Sequence, residues 1–387
     1  MKQTAIYARK GRLSVFWGDQ VFLPSANSDV VPTHHIDILC SLLGDTAPTP
    51  EEWQEQGLEK YGVVAVLQLE NGQIEAAQVE KVSHETATKM LAGLGGKVQQ
   101  VGPSLGSFSV SAAILEALLT EFRSELAEKT GKLDTDPHFW MPLCGLSLEA
   151  YQQLMAQKGT ASDVSAAHYE RMTKMKDAFL DKHTDMGLFG AVDVGKDACW
   201  WDYGQLKLYS KNSLLLLEDD SDASAKLLRQ FLGLEQDHIV ASTVPDGVTD
   251  DKSYVIASQL GSASQLKSSL IAGTACPALQ ANGAIVVNCV APSIQAEPGA
   301  ILYNLISESA PIVAQAGEVK VGLPDHNFTR VLQSRMDIDG GKAWKEQLDM
   351  NDASFEQVHG QNKGANIGSL AQQRKAVFDA AKAKLGL

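Results

Sequence analysis

A chain of 387 residues with 44% hydrophobic content can bury a core large enough for two domains and a tail. Its 33 basic and 47 acidic residues leave a net charge of −14 without Lys/Arg clusters, which argues against nucleic acid and anionic membranes as partners. No apolar run nears the ~18 residues of a membrane span, the first residues form no signal h-region, and five scattered cysteines without Cys-Xaa-Xaa-Cys spacing point to a reducing compartment and no zinc.

In chain order, residues 12–23 read as an apolar strand that turns at Gly18-Asp19, where Asp19 would face a phosphate and its metal. Residues 61–70 and 74–82 read as a hairpin around Asn71-Gly72, with Glu80-Lys81 at the end of its return strand. Ser109 to Gly131, Ser147 to Gly159 and Asp163 to Gly187 read as helices; in the third, Met172 and Met175 are expected as core filling. Trp200-Trp-Asp202-Tyr-Gly204 repeats the pattern of an apolar run ending in a carboxylate near a glycine. The acidic run Glu218–Asp222 reads as a linker that caps a helix over 224–232. Gly283-Ala-Ile-Val-Val-Asn288 and Gly299-Ala-Ile-Leu-Tyr-Asn304 match at a period of 16, and the same step reaches Leu270-Ile271 and Tyr254-Val255. Apolar pairs at fixed spacing describe the rungs of a β-solenoid, with Asn288 and Asn304 stacked at one corner. A helix over 369–385 is expected to cover an end or face of that solenoid.

Other polar groups have weaker claims. The side chains of His34-His35 diverge on a strand and chelate poorly as a pair, and Asp136-Pro137-His138 has the form of a turn. Cys199 has no adjacent histidine to make it a nucleophile.

The order of these segments resembles the sugar-1-phosphate nucleotidyltransferases, whose second half runs Gly-Asp, a hairpin ending in Glu-Lys, a Gly-Xaa-Phe strand feeding a helix, and Trp-Xaa-Asp-Xaa-Gly. Phe16-Trp-Gly-Asp-Gln-Val-Phe22, Asp136-Pro-His-Phe-Trp-Met-Pro142 and Trp200–Tyr209 are similar to the plastid type of UTP–glucose-1-phosphate uridylyltransferases. The resemblance covers residues 10–215 and implies a partial nucleotidyltransferase (GT-A/Rossmann-like) α/β domain over 1–217. A linker and helix (218–249), a left-handed β-helix-like solenoid (250–325) and a C-terminal extension with a helix (326–387) follow.

The implied chemistry is nucleotidyl transfer between a nucleoside triphosphate and a sugar 1-phosphate, UTP and glucose 1-phosphate by resemblance. Asp19 and Asp202 would be the catalytic carboxylates that hold Mg²⁺. Glu80, Lys81, Gly106, His138 and Lys196 would contact the sugar phosphate, although Glu80-Lys81 can equally be an exposed strand pair and His138 a satisfied core histidine. Only 17 residues precede Gly18, and they hold no Gly-rich loop. The expectation is therefore an incomplete enzyme, a split subunit whose partner chain supplies the nucleotide half, or a non-catalytic subunit or scaffold. Oligomerisation through the solenoid and a location in the cytoplasm or plastid stroma complete the reading. An acyltransferase of the β-helix type would want a histidine in the rungs, and Tyr254 to Ile312 contains none.

Overall fold

A computed structural model describes residues 11–23, 32–44, 46–128, 139–195, 198–235, 237–325, 328–338 and 343–387. The chain divides into two units, Met1–Trp200 and Trp201–Leu387. The first holds strands β1 (Arg12–Val15), β2 (Gln20–Leu23), β3 (His34–Cys40), β4 (Gly62–Leu69), β5 (Ile74–Glu80), β6 (Gly96–Ser111) and β7 (Gly187–Asp193). All but β2 form a mixed sheet in the order β5-β4-β6-β3-β7, with β1 also on β6. β3 and β7 are parallel, and the other pairs are antiparallel.

The hairpin forms as expected: Gly72 sits at φ 84° and its N–H donates to the Leu69 carbonyl at 2.9 Å. Residues 12–23 make two strands rather than one, parted by the Gly18-Asp19 turn. The helix expected from Ser109 starts at Ala112, because Ser107-Phe-Ser-Val-Ser111 alternates polar and apolar residues and stays in β6. Ser111 then caps the helix, its Oγ accepting from the Ile114 N–H at 3.3 Å.

Among the described residues the first unit also holds helices α1 (Pro50–Glu55), α2 (His84–Ala92), α3 (Ala112–Glu121), α4 (Arg123–Glu128), α5 (Met141–Leu143), α6 (Leu148–Gln157) and α7 (Ser162–Leu180). Strand alternation sends Val63, Ala65 and Leu67 into one core with Leu91, Tyr151 and Met155. Val64 and Ala76 enter another with Ile114, Phe179 and Met172, the methionine read as core filling.

A buried polar network binds β1, β3, β5 and β7. Arg12 donates to Asp37 Oδ2 at 2.8 Å, to the His34 carbonyl at 2.8 Å and to the Ser109 carbonyl at 3.1 Å. The His34 Nε2–H donates to the Ile74 carbonyl at 2.8 Å, so Nδ1 accepts from the Thr33 hydroxyl at 2.7 Å. Glu75 accepts from the Leu188 and Phe189 amides at 3.2 and 3.0 Å, which draws the two edge strands together.

The second unit begins with α8 (Leu206–Leu214) and α9 (Ala223–Leu232). Asp222 caps α9, accepting from Ser224 and Ala225 amides at 2.8 and 3.0 Å, so the acidic run serves as the expected capping linker. A parallel β-solenoid of about five turns follows over 239–321: Ile239, Val255, Ile271, Val286, Leu302 and Lys320 stack in one column. The amide of Gly299 donates to the Gly283 carbonyl at 2.8 Å, so those two segments superpose as expected. The period is not constant. Val286 lies over Ile271 rather than Leu270, because Pro277–Leu279 bridges with three residues the corner that Gly261–Ser264 bridges with four one turn earlier.

Asn288 and Asn304 stand at one corner at φ 55° and 60°, in a column with Ala241, Ala257 and Gly273. Next to that corner, hydroxyls satisfy buried amides of the following turn: Ser242 Oγ accepts from Ser258 N at 2.9 Å, and Ser258 Oγ from Thr274 N at 3.0 Å. The final elements are α10 (Phe355–Asn362) and α11 (Ile367–Lys384). Through Phe378 and Ala381, α11 packs on Ala275, Val290 and Ile306 of the solenoid, as the sequence leads one to expect.

Two substitutions test these arguments. A Cβ at position 190 would fall 2.4 Å from His34 Nδ1 and 2.5 Å from Asp37 Oδ1; Gly190→Ala is expected to cost the first unit about 1–3 kcal/mol in urea denaturation. Ser258→Ala strands the buried Thr274 amide and is expected to lower the solenoid transition by about 1–3 kcal/mol.

Candidate functional site

Open α/β sheets bind ligands beyond the carboxyl ends of their strands. In the first unit one register row marks that rim: Glu80 pairs with Gly62, Val63 beside it with Pro103, and Ser104 with Cys40, which pairs with Asp193. Glu80 and Asp193 thus end β5 and β7 on the same row.

Glu80 is half-buried and accepts from the amide nitrogen of Gln78. Gly62 makes room for both, since a Cβ there would lie 2.9 Å from Gln78 Nε2 and from Glu80 Oε1. Gln78 is 3% exposed, and its Oε1 is buried without a hydrogen-bond partner. The ring of Tyr61, the residue before Gly62, meets Trp200 edge-on at 5.3 Å, and the Trp200 Nε1–H is likewise buried without a partner. Gln78 thus carries an unmet acceptor beside the Glu80 carboxylate, and Trp200 an unmet donor on the ring that Tyr61 meets.

Lys81 follows in the left-handed region at φ 53° with an exposed side chain. Gly106 lies at φ 71°, in the irregularity of the β3–β6 ladder between the Cys40–Ser104 and Ile38–Phe108 pairs. The Trp17 Nε1–H donates to the Gly106 carbonyl at 2.6 Å, so this indole occupies the face that the resemblance reserves for a sugar ring. Asp193 accepts from the Leu42 and Gly195 amides, both at 3.1 Å.

Of the two expected metal ligands, Asp19 is exposed in the turn between β1 and β2 of the first unit. Asp202 belongs to the second, where its Oδ1 accepts from the Gly204 amide at 2.7 Å and its carbonyl from the Asn212 side chain at 2.7 Å. His138 and Lys196 lie outside the described residues. Gln78, Trp17, Trp200 and Asp193 are the rim residues that sequence reading passed over. Trp17 and Trp200 stand inside motifs that the sequence singles out, without a role of their own, and Asp193 is a carboxylate ending an apolar run.

The second unit holds a cavity of about 580 Å³ lined by Tyr203, Tyr209, Tyr303, Trp344 and Phe355 among others. None of the described lining residues is charged.

No protein-family model matches the chain, and no curated protein matches it significantly. Among the described residues no helix is long and apolar enough to cross a membrane. All five cysteines are free.

Burial pushes the Cys144, Cys276 and Cys289 thiols up to about 12, 11 and 12, and Cys40 higher still. A disulfide reagent at pH 8 is thus expected to modify at most Cys199 quickly in the folded chain. Fast modification that persists in Cys199→Ser would contradict this.

Proposed function

We propose that the chain binds a sugar 1-phosphate at the rim of the first sheet, as a protein of the nucleotidyltransferase type. The observation that carries this reading is the unmet Gln78 Oε1 acceptor on the side chain that binds Glu80, with the unmet Trp200 Nε1 donor on the ring against Tyr61. Buried polar atoms normally have partners, and sugar hydroxyls both donate and accept, so one ring can satisfy both kinds of group. Glu80 takes further hydroxyl protons, and Lys81 supplies the point charge for the phosphate. Support also comes from the succession of a mixed α/β domain and a β-solenoid, the order in the family that the motifs resemble.

In the full reaction the phosphate oxygen of the sugar attacks the α-phosphorus of a nucleoside triphosphate, and pyrophosphate leaves. The nucleophile is already anionic, so charge neutralisation rather than a general base is required, and Mg²⁺ on a carboxylate such as Asp19 would supply it. Glucose and uridine are the sugar and base proposed from the resemblance.

Calorimetry on the full chain with glucose 1-phosphate and Mg²⁺ tests the reading. Binding is expected to weaken in Glu80→Gln by roughly tenfold to a hundredfold, the worth of a hydrogen bond to a charged group. Absence of binding to any sugar 1-phosphate, or undiminished binding in Glu80→Gln, would remove the assignment. Pyrophosphate release with UTP that is lost in Asp19→Asn and in Asp202→Asn marks an enzyme. Binding without release marks a non-catalytic sugar-phosphate subunit.

A further inference from the structure

A second constellation lies at the other end of β3 and β7, where His34 pairs with Gly187 at their amino termini. It consists of His35 on β3 with His183 and Asp185 in the connection from α7 to β7. One ligand atom of each, two imidazole nitrogens and a carboxylate oxygen, lies within 4.8 Å of the other two. At ~3.3 Å per residue the length of β3 places about 20 Å between this end and the sugar-phosphate rim, so the inference stands independently of that reading.

His35 is the distinctive member. Its ring is 3% exposed, its Nδ1 is hydrogen-bonded to Ser111 Oγ at 2.8 Å, and its Nε2 is buried with no partner. One neighbour touches both rings: Phe179 meets His35 edge-on at 4.7 Å and stacks on His183 at 4.5 Å. Whichever nitrogen carries the proton, Nε2 lacks a partner, and an unmet buried polar atom costs about 1–3 kcal/mol. If Nδ1–H donates to Ser111, the lone pair of Nε2 is presented to His183 and Asp185. A metal-bound histidine has this arrangement, its second nitrogen donating to a protein oxygen that fixes the ring.

We propose that His35, His183 and Asp185 bind a divalent first-row transition ion of the Zn²⁺ type, with a fourth position left to water. Two imidazoles and one carboxylate suit such an ion, whereas Mg²⁺ and Ca²⁺ take oxygen ligands. Zinc bonds of 2.0–2.2 Å set tetrahedral ligand atoms ~3.3 Å apart. The half-exposed His183 and the exposed Asp185 can close the remaining distance by side-chain rotation. Their exposure also gives the ion its entry path. The cysteines, read as evidence against zinc, take no part. His34-His35 does not chelate as a pair; His35 finds its partners in a segment that only the fold brings near. The ion would tie the α7–β7 connection to β3.

The test uses the full chain stripped by chelator. Calorimetry is expected to show one equivalent of Zn²⁺ bound, with a rise in unfolding temperature. Co²⁺ in its place is expected to give the visible d–d bands of a tetrahedral site without thiolate charge-transfer absorption. Changes outside the ligand shell alone cost about 10–100-fold in affinity, the loss expected for Ser111→Ala, and His183→Ala or Asp185→Asn should exceed it. Circular dichroism checks folding, and the exposed Asp185 supplies a variant that leaves the core untouched. No binding at micromolar Zn²⁺, unchanged binding in both ligand variants, or a thiolate-type Co²⁺ spectrum would overturn the proposal.

Discussion

The first unit is organised around the buried pair of Arg12 and Asp37, whose side chains are 7% and 4% exposed. Burial raises the Asp37 carboxyl and lowers the Arg12 guanidinium, against the attraction of each for the other. Desolvation is thus the larger effect, and each charge is held in place mainly by the cost of losing its partner. Arg12 also ties the β3 backbone at His34 and β6 at Ser109, so a single side chain sets where three strands meet. Glu75 extends the network to the far edge, and burial raises its carboxyl even though it accepts two amides.

The two glycines of β7 follow from that network. A Cβ at Gly187 would meet Glu75 Oε1 and His34 Cδ2, both at 2.3 Å, and one at Gly190 would enter the space of His34 and Asp37. The only parallel pairing among the described strands of this sheet, β3 with β7, therefore exists because β7 gives up side chains where the polar cluster needs volume. That pairing has a functional consequence. It aligns the carboxyl ends of both strands at the Glu80–Asp193 row, and their amino ends where His35 meets His183 and Asp185. One strand pair thus serves two chemically different neighbourhoods.

Local rules made much of this architecture readable. Asn71-Gly72 announces its hairpin because only such residues take the required positive φ cheaply, and the solenoid shows itself because stacked turns repeat their apolar positions. β3 did not show itself: all seven of its residues are buried, so His34-His35-Ile-Asp-Ile-Leu-Cys40 has no polar face to set a period. β7 does not show itself either: the helix expected over Asp163 to Gly187 stops at its first residue, and nothing local reveals that Gly187 and Gly190 face Glu75, His34 and Asp37. The unmet atoms of Gln78, Trp200 and His35 are properties of packing, invisible to any pattern along the chain.

The solenoid shows the converse case, in which a local rule is broken and its cost is offset by repetition. Ala241 and Ala257 occupy left-handed corners at φ 51° and 49°, a conformation that costs a residue with a Cβ about 1–2 kcal/mol. One turn on, Gly273 relieves the strain, and a Cβ there would sit 2.3 Å from Asn288 Oδ1. The Ser242, Ser258 and Thr274 hydroxyls answer amides that the sharp corner removes from the ladder, each serving the turn after its own. Because every turn completes its neighbour, the corners persist as a column although some of them hold residues that would not choose the geometry alone. The shortened corner at Pro277 fits the same logic: β pairing resumes in register within three residues, so the column absorbs a deletion that would flip every side chain of an isolated strand.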